Sequence, residues 1–366
     1  MVQQTQKTAL EQLEYLDSME GIVRSEPTAP PRSLLWLPQA ALVHAAYPGT
    51  LAALTIGLAS TFLSDHYGAP VMLFALLIGM AFHFLHEEGR CVAGIEFASR
   101  NILRLGVALL GARITFDQIA QLGTGPVLMV MIGVSTTIIL GTLMARTLRQ
   151  TTTFGILSGG AVAICGVAAA LAIASVLPKN SDTERDTILT VVTVTALSTL
   201  AMIFYPMGVS ALGLDNQHAG LFLGGTIHDV AQVVGAGYMI SPETGDIATY
   251  VKMLRVAMLL PVVIVLVVIM SRREGSAGPR TVQLVPTFLI GFIALVCINS
   301  FGLIPQQGIA LLNDVSRWCL VTAIAALGMK TSFKKLVAVG WRPIGLMAIE
   351  TAWIAVVVLG AVIWLL

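Results

Sequence analysis

The chain has 366 residues, of which 56% are hydrophobic and 11% are charged, and its formal net charge at pH 7 is +1. A soluble domain carries about 25% charged residues, so this composition indicates an integral membrane protein and excludes an ordinary soluble enzyme. The balanced charge excludes the strongly basic surface of a nucleic-acid-binding protein, so the expected partners are the lipid bilayer and a small solute, with no nucleic acid.

Residues 1–46 precede the first apolar segment and form a predicted cytoplasmic N-terminal tail. No apolar core follows a basic start, so a signal peptide is not indicated. The stretch "EQLEYLDSMEGI" favours a short amphipathic helix, with a regulatory arm as the alternative. Residues 47–366 are predicted to form one all-α membrane domain.

Apolar runs of about the length of a membrane-spanning helix recur along this domain. The predicted segments are 47–63, 69–85, 91–113, 126–146, 154–177, 184–206, 216–240, 255–271, 284–304, 312–329 and 343–363. Two of them, 154–177 and 216–240, differ from the rest because glycine pairs and polar residues interrupt them. The four cysteines show no paired spacing, so we expect neither a zinc site nor a disulfide framework, and no cofactor.

An internal repeat is visible in the sequence. Residues 99–126 align without gaps on residues 316–343 at an offset of 217, and nine of the 28 aligned positions are identical. Shared apolar composition alone would give roughly two to four matches, so we interpret the alignment as an internal duplication. The flanking segments pair at the same offset, which predicts a first repeat at about 47–146 and a second at about 255–363.

The repeat allows two arrangements in the membrane. If all eleven segments cross, the repeat copies are inverted but the two broken segments are parallel. If both broken segments are re-entrant hairpins, nine crossings remain, the copies are still inverted, and the hairpins enter from opposite faces. Inverted repeats with discontinuous elements that meet near the midplane are typical of secondary transporters.

The distribution of Lys and Arg favours the nine-crossing arrangement, because these residues concentrate on the cytoplasmic side. It leaves only Arg113, Lys252 and Arg255 in outside loops, whereas eleven crossings would also move Lys179 and Arg185 outward. Both arrangements place the N-terminus inside and the C-terminus outside.

Each broken segment carries a glycine pair before a predicted helix start. The first reads "SGGAVAICGVAAALAIASVLP" and the second "LGGTIHDVAQVVGAGY". An unwound stretch before a helix directs free backbone N–H groups and about half a positive charge toward the midplane, which suits an anion. The predicted substrate contacts here are Gly159, Gly160, Gly166, Gly224 and Gly225. The alternative is that the glycines only permit close helix packing.

The second broken segment also carries polar side chains at membrane depth. We predict that Thr226, Asp229 and Gln232 face a shared cavity. A charge at the bilayer centre needs a partner, water or a function, so Asp229 is expected to pair with an arginine, bind a cation or carry a proton. His228 is interpreted either as a structural histidine or as a proton relay.

Further charged residues lie in other apolar segments. Arg100 and Arg104 are four residues apart and share a helix face, and Glu96 lies four residues before Arg100. If Glu96 pairs with Arg100, the guanidinium fork of Arg104 is free to bind an oxyanion. The second repeat supplies Arg317 for the same role. Glu350, in the last segment, is expected to pair across helices or to bind a proton.

Three stretches together resemble the bacterial family of YeiH-type sulfate exporters: "FASRNILRLGVALLGARITFDQI", "SGGAVAICGVAAALAIASVLP" and "GGTIHDVAQVVGAG". They occur in the same order, and the likeness runs from about residue 70 to the C-terminus. The resemblance implies a secondary transporter related to cation:proton antiporters and anion transporters, with a core domain of crossed broken elements beside a scaffold domain. The motif residues map onto Gly159, Gly160, Cys165, Gly166, Gly224, Gly225, Thr226, His228, Asp229 and Gln232.

The leading hypothesis is a secondary active transporter of a small anion (sulfate, sulfite or an organosulfonate), coupled to H+ or Na+ and homodimeric in the bacterial inner membrane. The expected fold is an all-α inverted repeat with nine to eleven membrane segments. Arg104 and Arg317 would hold the anion, while Asp229, His228 and Glu350 would couple the ion. The alternative is a Na+/H+ antiporter without an anion substrate. No catalytic dyad, filter sequence or soluble output domain favours an enzyme, a channel or a sensor.

Overall fold

The computed structural model describes residues 39–68, 70–87, 89–178, 181–274, 286–331 and 341–364. All the regular elements in these ranges are helical. A π-helical turn, Ala98–Ile102, separates α4 from α5, and a 3₁₀ turn, Gly111–Arg113, follows α5. The α-helices are α1 Gln39–Tyr67, α2 Val71–Ala81, α3 Phe84–Glu87, α4 Val92–Phe97, α5 Leu103–Leu110, α6 Phe116–Leu122, α7 Gly125–Thr147, α8 Thr152–Ala163, α9 Val167–Val176, α10 Ser181–Ala211, α11 Asn216–Thr226, α12 Val230–Ile240, α13 Pro242–Ala257, α14 Leu259–Glu274, α15 Thr287–Ser300, α16 Gln306–Lys330 and α17 Trp341–Trp364.

The apolar segments form helices, several of which are long enough to cross a membrane. Six spans within the described residues are long and apolar enough to do so: Ala45–Tyr67, Gly125–Thr147, Asp182–Ala211, Pro242–Met270, Gln306–Lys330 and Trp341–Trp364. The helices α2 and α15 are apolar but shorter, with 11 and 14 residues. The prediction of an all-α, multi-pass membrane protein is confirmed. The predicted tail lies outside the described residues up to the start of α1.

The helices pack into two groups. The scaffold group contains α1 to α6, α15 and α16, and α16 packs against α1, α2, α4 and α5. The core group contains α7 to α14 and α17, with the two broken segments at its centre. The groups meet chiefly where α12 packs against α2 and α16. The first broken segment is therefore surrounded by other helices of its own group, and the second also reaches the scaffold.

The first broken segment, α8 and α9, folds back on itself as hairpin 1. Thr151, just before α8, donates a hydrogen bond to Asp186 near the start of α10 (Oγ1 to Oδ2, 3.2 Å), although α9 lies between them in sequence. Gly160 of α8 faces the side chain of Ile173 in α9. In one straight helix these two residues would lie about 20 Å apart. Hairpin 1 therefore begins and ends at the N-terminal end of α10.

The second broken segment, α11 and α12, is hairpin 2. Asn216, at the start of α11, donates to Glu243 at 3.0 Å, and its carbonyl accepts a hydrogen bond from Thr244 at 3.1 Å. A Cβ on Gly237, near the end of α12, would lie 2.8 Å from the Cα of Gly245. Both ends of hairpin 2 thus lie at the start of α13. Because α11 follows the C-terminal end of α10, the two hairpins open at opposite ends of that helix.

The structure corrects the predicted segment 255–271. Helix α13 begins at Pro242, and the candidate span continues to Met270. Lys252 and Arg255 therefore lie inside a membrane helix, where they are 0% and 1% exposed, and their predicted position in an outside loop is wrong. With them removed, Arg113 is the one cation that the nine-crossing arrangement places outside.

Close glycine contacts join the two halves of the scaffold in a reciprocal way. Gly111, after α5, contacts the backbone of Phe292 in α15, while Gly328, its counterpart in the repeat, contacts the backbone of Leu76 in α2. The offset of 217 carries Leu76 to Ile293, next to Phe292. This symmetry agrees with duplication, whereas the opposite membrane orientation of the copies stays a prediction.

The hairpin geometry predicts a disulfide that a straight broken helix could not form. In a background free of native cysteines, Gly160→Cys with Ile173→Cys should cross-link under mild oxidation, because the two side chains meet across hairpin 1. Mass spectrometry after alkylation measures the bridge. Gly155→Cys with Ile173→Cys is the control, because Gly155 faces α7 instead. Equal alkylation of both pairs would contradict the hairpin.

Candidate functional site

The tips of the two hairpins meet inside the core group. The helical path of hairpin 1 is broken at 164–166, and that of hairpin 2 at 227–229. Gly166 has a φ of +67°, a conformation that favours glycine, and it directly precedes α9. A Cβ on Gly166 would lie 3.7 Å from the carbonyl oxygen of His228. The two interruptions therefore form one continuous patch of non-helical backbone.

Lys252 of α13 satisfies backbone carbonyls from both tips. Its Nζ donates to the carbonyl oxygens of Ile164 at 2.8 Å, Ile227 at 2.9 Å and His228. An ammonium group has three N–H donors, and three acceptors surround it here, which is the arrangement of the charged form. Lys252 thus joins hairpin 1 to hairpin 2 through α13.

Arg255, one turn further along α13, repeats this arrangement. Its Nε donates to Ala163 at 2.8 Å and one terminal nitrogen donates to Val162 at 2.8 Å, both in hairpin 1. The other terminal nitrogen donates to Gly224 at 3.2 Å and Ile227 at 2.9 Å, both in hairpin 2. Since Lys252 and Arg255 bind the carbonyl ends of α8 and α11, they offset the negative ends of both helix dipoles.

The opposite, positive helix ends lie at the same place. The side chain of Asp229 accepts from the N–H of Ala231 at 2.8 Å and so caps α12, while its own N–H donates to Ser198 at 3.0 Å. Asp229 is partly exposed and lies within electrostatic range of Lys252 and Lys330. Its role in the structure is an N-cap beside two cations.

The N-terminus of α9 has no such cap. Gly166 occupies the capping position and has no side chain, so the capping residue itself makes no hydrogen bond to this helix end, although the thiol of Cys165 lies against the backbone N–H of Ala169. Val167 and Ala168, the first residues of α9, are partly exposed, whereas the preceding stretch 161–166 is buried. The positive end of α9 therefore lies at partly exposed residues, within electrostatic range of Asp229 through the neighbouring Cys165. Such a position accepts an anion.

Buried polar side chains near the tips form hydrogen bonds that hold the tips in place. Nδ1 of His228 lies 3.1 Å from the carbonyl oxygen of Val162, and Nε2 lies 3.0 Å from the hydroxyl of Thr351 in α17. Both ring nitrogens are thus engaged, which agrees with the structural interpretation of His228. Gln232 donates to Thr199 of α10 at 2.8 Å, and the hydroxyl of Thr226 bonds within its own helix. Thr226 is fully buried, so the structure does not place it in the accessible space.

The glycine pairs differ from expectation, because they lie within helices and do not unwind them. Gly159 packs against the backbone of α7, and Gly160 packs against α9. Gly224 packs against α13, and Gly225 packs against Val358 of α17. Their described contacts are close packing contacts, and the breaks follow several residues later, while contact of these glycines with a substrate stays a prediction.

The two predicted anion-binding arginines lie away from the tips. Arg104 on α5 and Arg317 on α16 are both exposed and belong to the scaffold group. The structure thus brings together Gly166, His228 and Asp229, with Gln232 behind them, but it does not place Arg104 or Arg317 among them. Their role in binding stays a prediction. Glu350 lies behind hairpin 1, where Ser158 donates to it at 2.7 Å.

Sequence reasoning missed the two cations that organise the site. Lys252 and Arg255 are three residues apart in "TYVKMLRVAMLL", so they share a helix face, and apolar residues surround them on both sides. That pattern is typical of buried membrane cations, and extending the following apolar segment toward the N-terminus would have revealed it. Among the described residues, no group of three His, Cys, Asp or Glu side chains forms a metal site.

Comparison with known proteins identifies relatives along most of the chain. The family model described as "Conserved hypothetical protein 698" matches residues 48–347. The UPF0324 membrane protein CT0845 of Chlorobaculum tepidum is 58% identical over 87% of this chain and 90% of its own length. The UPF0324 membrane protein TauZ of Paracoccus denitrificans is 48% identical over 88% of this chain and 96% of its own length.

Removing either buried cation should destabilise the protein. Lys252→Met leaves the buried carbonyls of Ile164 and His228 without a described partner, whereas the carbonyl of Ile227 keeps its bond from Arg255. Unsatisfied buried groups cost about 1 to 3 kcal/mol each. We expect Lys252→Met and Arg255→Met each to lower the free energy of unfolding by at least about 2 kcal/mol, measured by denaturation in detergent. Arg104→Met, at an exposed arginine, is the control and should change it little. Wild-type stability of Lys252→Met would contradict the clamp.

Proposed function

The chain belongs to the Conserved hypothetical protein 698 family, the UPF0324 membrane proteins, and from the geometry of its hairpin tips we propose that it is a secondary active transporter of a small anion. The proposed substrates are sulfate, sulfite or an organosulfonate, as in a YeiH-type sulfate exporter. Coupling is to H+ or Na+, and the protein acts as a homodimer in the bacterial inner membrane.

The observation that carries this proposal is the N-terminus of α9, where glycine supplies no charged or polar cap. Val167 and Ala168 at this end are partly exposed, and Lys252 and Arg255 behind the tips outnumber Asp229, the acid at the tip of hairpin 2. Free amides and a net positive field favour an anion. Because their contacts with carbonyls occupy Lys252 and Arg255, the two cations act on the anion through their field and not by direct contact.

The hairpins also support the transporter class. In the nine-crossing arrangement, α1, α2, α4–α5, α7, α10, α13–α14, α15, α16 and α17 cross, and the hairpins enter from opposite faces. This arrangement places the N-terminus inside and the C-terminus outside. Non-helical backbone at membrane depth is tolerated where protein covers it or where it lines a cavity, and protein covers most of both tips.

A Na+/H+ antiporter is the second candidate, and Asp229 is the observation that favours it. Asp229 is partly exposed and belongs to the tip of hairpin 2, where a carboxylate can bind a cation. The two buried cations close by oppose the binding of a further cation at this position. We therefore place the anion transporter first.

Transport by the purified protein in liposomes tests the proposal directly. Vesicles loaded with unlabelled sulfate should accumulate radiolabelled sulfate by counterflow, and sulfite, taurine and bicarbonate as competitors should rank the substrate class. Imposed pH and Na+ gradients identify the coupling ion. Proton movement driven by a Na+ gradient, without any anion flux, would overturn the anion transporter in favour of the antiporter.

The charge of Asp229 gives a second prediction within the same assay. Asp229→Asn keeps an N-cap for α12 but removes a negative charge beside the proposed anion site. At an effective dielectric of 20, a unit charge about 8 Å away contributes about 2 kcal/mol, so we expect the KM for sulfate to fall about tenfold or more. Glu243→Gln, at an exposed carboxylate in the first turn of α13, is the control. An unchanged KM for sulfate would contradict the placement of the anion site near Asp229.

Loss of sulfate counterflow in Arg104→Ala would instead support the prediction that Arg104 binds the substrate. If Asp229→Asn transports sulfate with unchanged pH and Na+ dependence, Asp229 is not the coupling residue. The two variants thus test the anion site and the coupling separately.

A further inference from the structure

Glu350 of α17 is a carboxyl group enclosed by protein without a charged partner. The residue is fully buried, and its Oε1 accepts a hydrogen bond from Ser158 at 2.7 Å. Its Oε2 has no hydrogen-bond partner among the described residues. The carboxyl lies against Gly141 of α7, where a Cβ would collide with Oε1. The site is therefore built around the carboxyl itself.

The described parts of the helices that surround Glu350 place no charged side chain in contact with it. Helix α8 carries no titratable side chain, and within α7, α10, α11 and α17 the titratable residues lie toward the helix ends. They are Arg146, Asp182, Glu184, Arg185, Asp186, Tyr205, His218 and Arg342. None of them forms a described hydrogen bond or ion pair with Glu350, and no charged group acts on it appreciably.

A carboxylate in this position would be an uncompensated buried charge. The free-energy cost of desolvating an ionised carboxyl far exceeds the stabilisation that one hydrogen bond from a hydroxyl provides, so the group takes up a proton instead. Asp229 differs on each count, since it is partly exposed, caps α12 and has Lys252 and Lys330 nearby. Of the two carboxyls in the core group nearest the tips, Glu350 is the one whose surroundings select the neutral form.

Glu350 also occupies a position from which protonation can reach both hairpins. Ser158, its hydrogen-bond partner, belongs to α8 of hairpin 1. The next residue on α17, Thr351, contacts His228 at the tip of hairpin 2. A change in charge at Glu350 therefore alters the contact between α17 and hairpin 1. The contact between α17 and hairpin 2 lies at the next residue, Thr351.

We propose that Glu350 is the proton-carrying residue of the transport cycle and that the conformation described here is its protonated form. This inference rests on the proposed function and narrows it to H+ coupling. In the release step the O–H bond of the carboxyl breaks and the proton passes to water. The resulting carboxylate retains the hydrogen bond from Ser158, and reprotonation from the other side of the membrane completes the cycle.

The test compares two modes of sulfate transport in Glu350→Gln, which mimics the neutral carboxyl. Counterflow needs no net proton movement and should stay within about threefold of wild type, whereas accumulation driven by a pH gradient should fall at least about tenfold. Asp117→Asn, at an exposed carboxylate on α6, is the matched control and should retain both modes. Accumulation driven by the pH gradient at wild-type level in Glu350→Gln would overturn the proposal.

A second variant and a spectroscopic measurement cover the case in which Glu350→Gln does not fold. Ser158→Ala removes the donor that stabilises the carboxylate, so the pH midpoint of transport should move upward; an unchanged midpoint would count against Glu350. Infrared spectra of wild type should show a protonated carboxyl band, which can be observed without any anion flux, and where transport occurs the band should titrate with its pH midpoint. Absence of that band would overturn the inference alone, whereas absence of anion flux with the band present would overturn only the proposed function. Dependence on a Na+ gradient at fixed pH would assign the site to Na+ and would also overturn it.

Discussion

The structure depends on how backbone carbonyls are satisfied where two helical hairpins end inside the membrane. A hydrocarbon environment offers no donors, so every carbonyl exposed by a helix break must find one within the protein. Lys252 and Arg255 supply seven donated hydrogen bonds, and all of them end on carbonyl oxygens of the hairpins. Without these two side chains, the carbonyls of the tips would be buried without donors.

This solution treats the two ends of the helix dipole differently. The carbonyl ends of α8 and α11 face cations of α13, while the N–H ends of α9 and α12 point away from these cations. Asp229 caps the N–H end of α12, and glycine at the capping position leaves the end of α9 without a charged cap. The asymmetry makes the electrostatic potential at the site positive, because the cations that stabilise the fold lie behind the N-terminus of α9.

Much of the fold could be predicted from the sequence, since hydropathy reports membrane helices directly. The two broken segments also left a clear signal in composition and spacing, whereas the inverted repeat and the re-entrant arrangement in the membrane stay predictions. The site was harder to predict. A glycine pair reads the same whether it unwinds a helix or admits a close neighbour, and here Gly159 and Gly224 are packing residues. Burial of Lys252 depends on carbonyls as far as 88 residues away, which no local pattern reports.

The same contacts determine where a transporter of this construction would move. Seven hydrogen bonds tie both tips to α13, so the tips and α13 behave as one unit. The contact with the scaffold group is different: Gly235 of α12 meets Ile324 of α16 through apolar atoms. An ion pair, Arg113 with Asp246 at 3.2 Å, joins the groups where hairpin 2 opens, and Tyr238 donates to the same carboxylate. Under the proposed function, sliding of the core group against the scaffold would expose the open end of α9 to either side by breaking this peripheral pair, while the buried cation clamp stays intact.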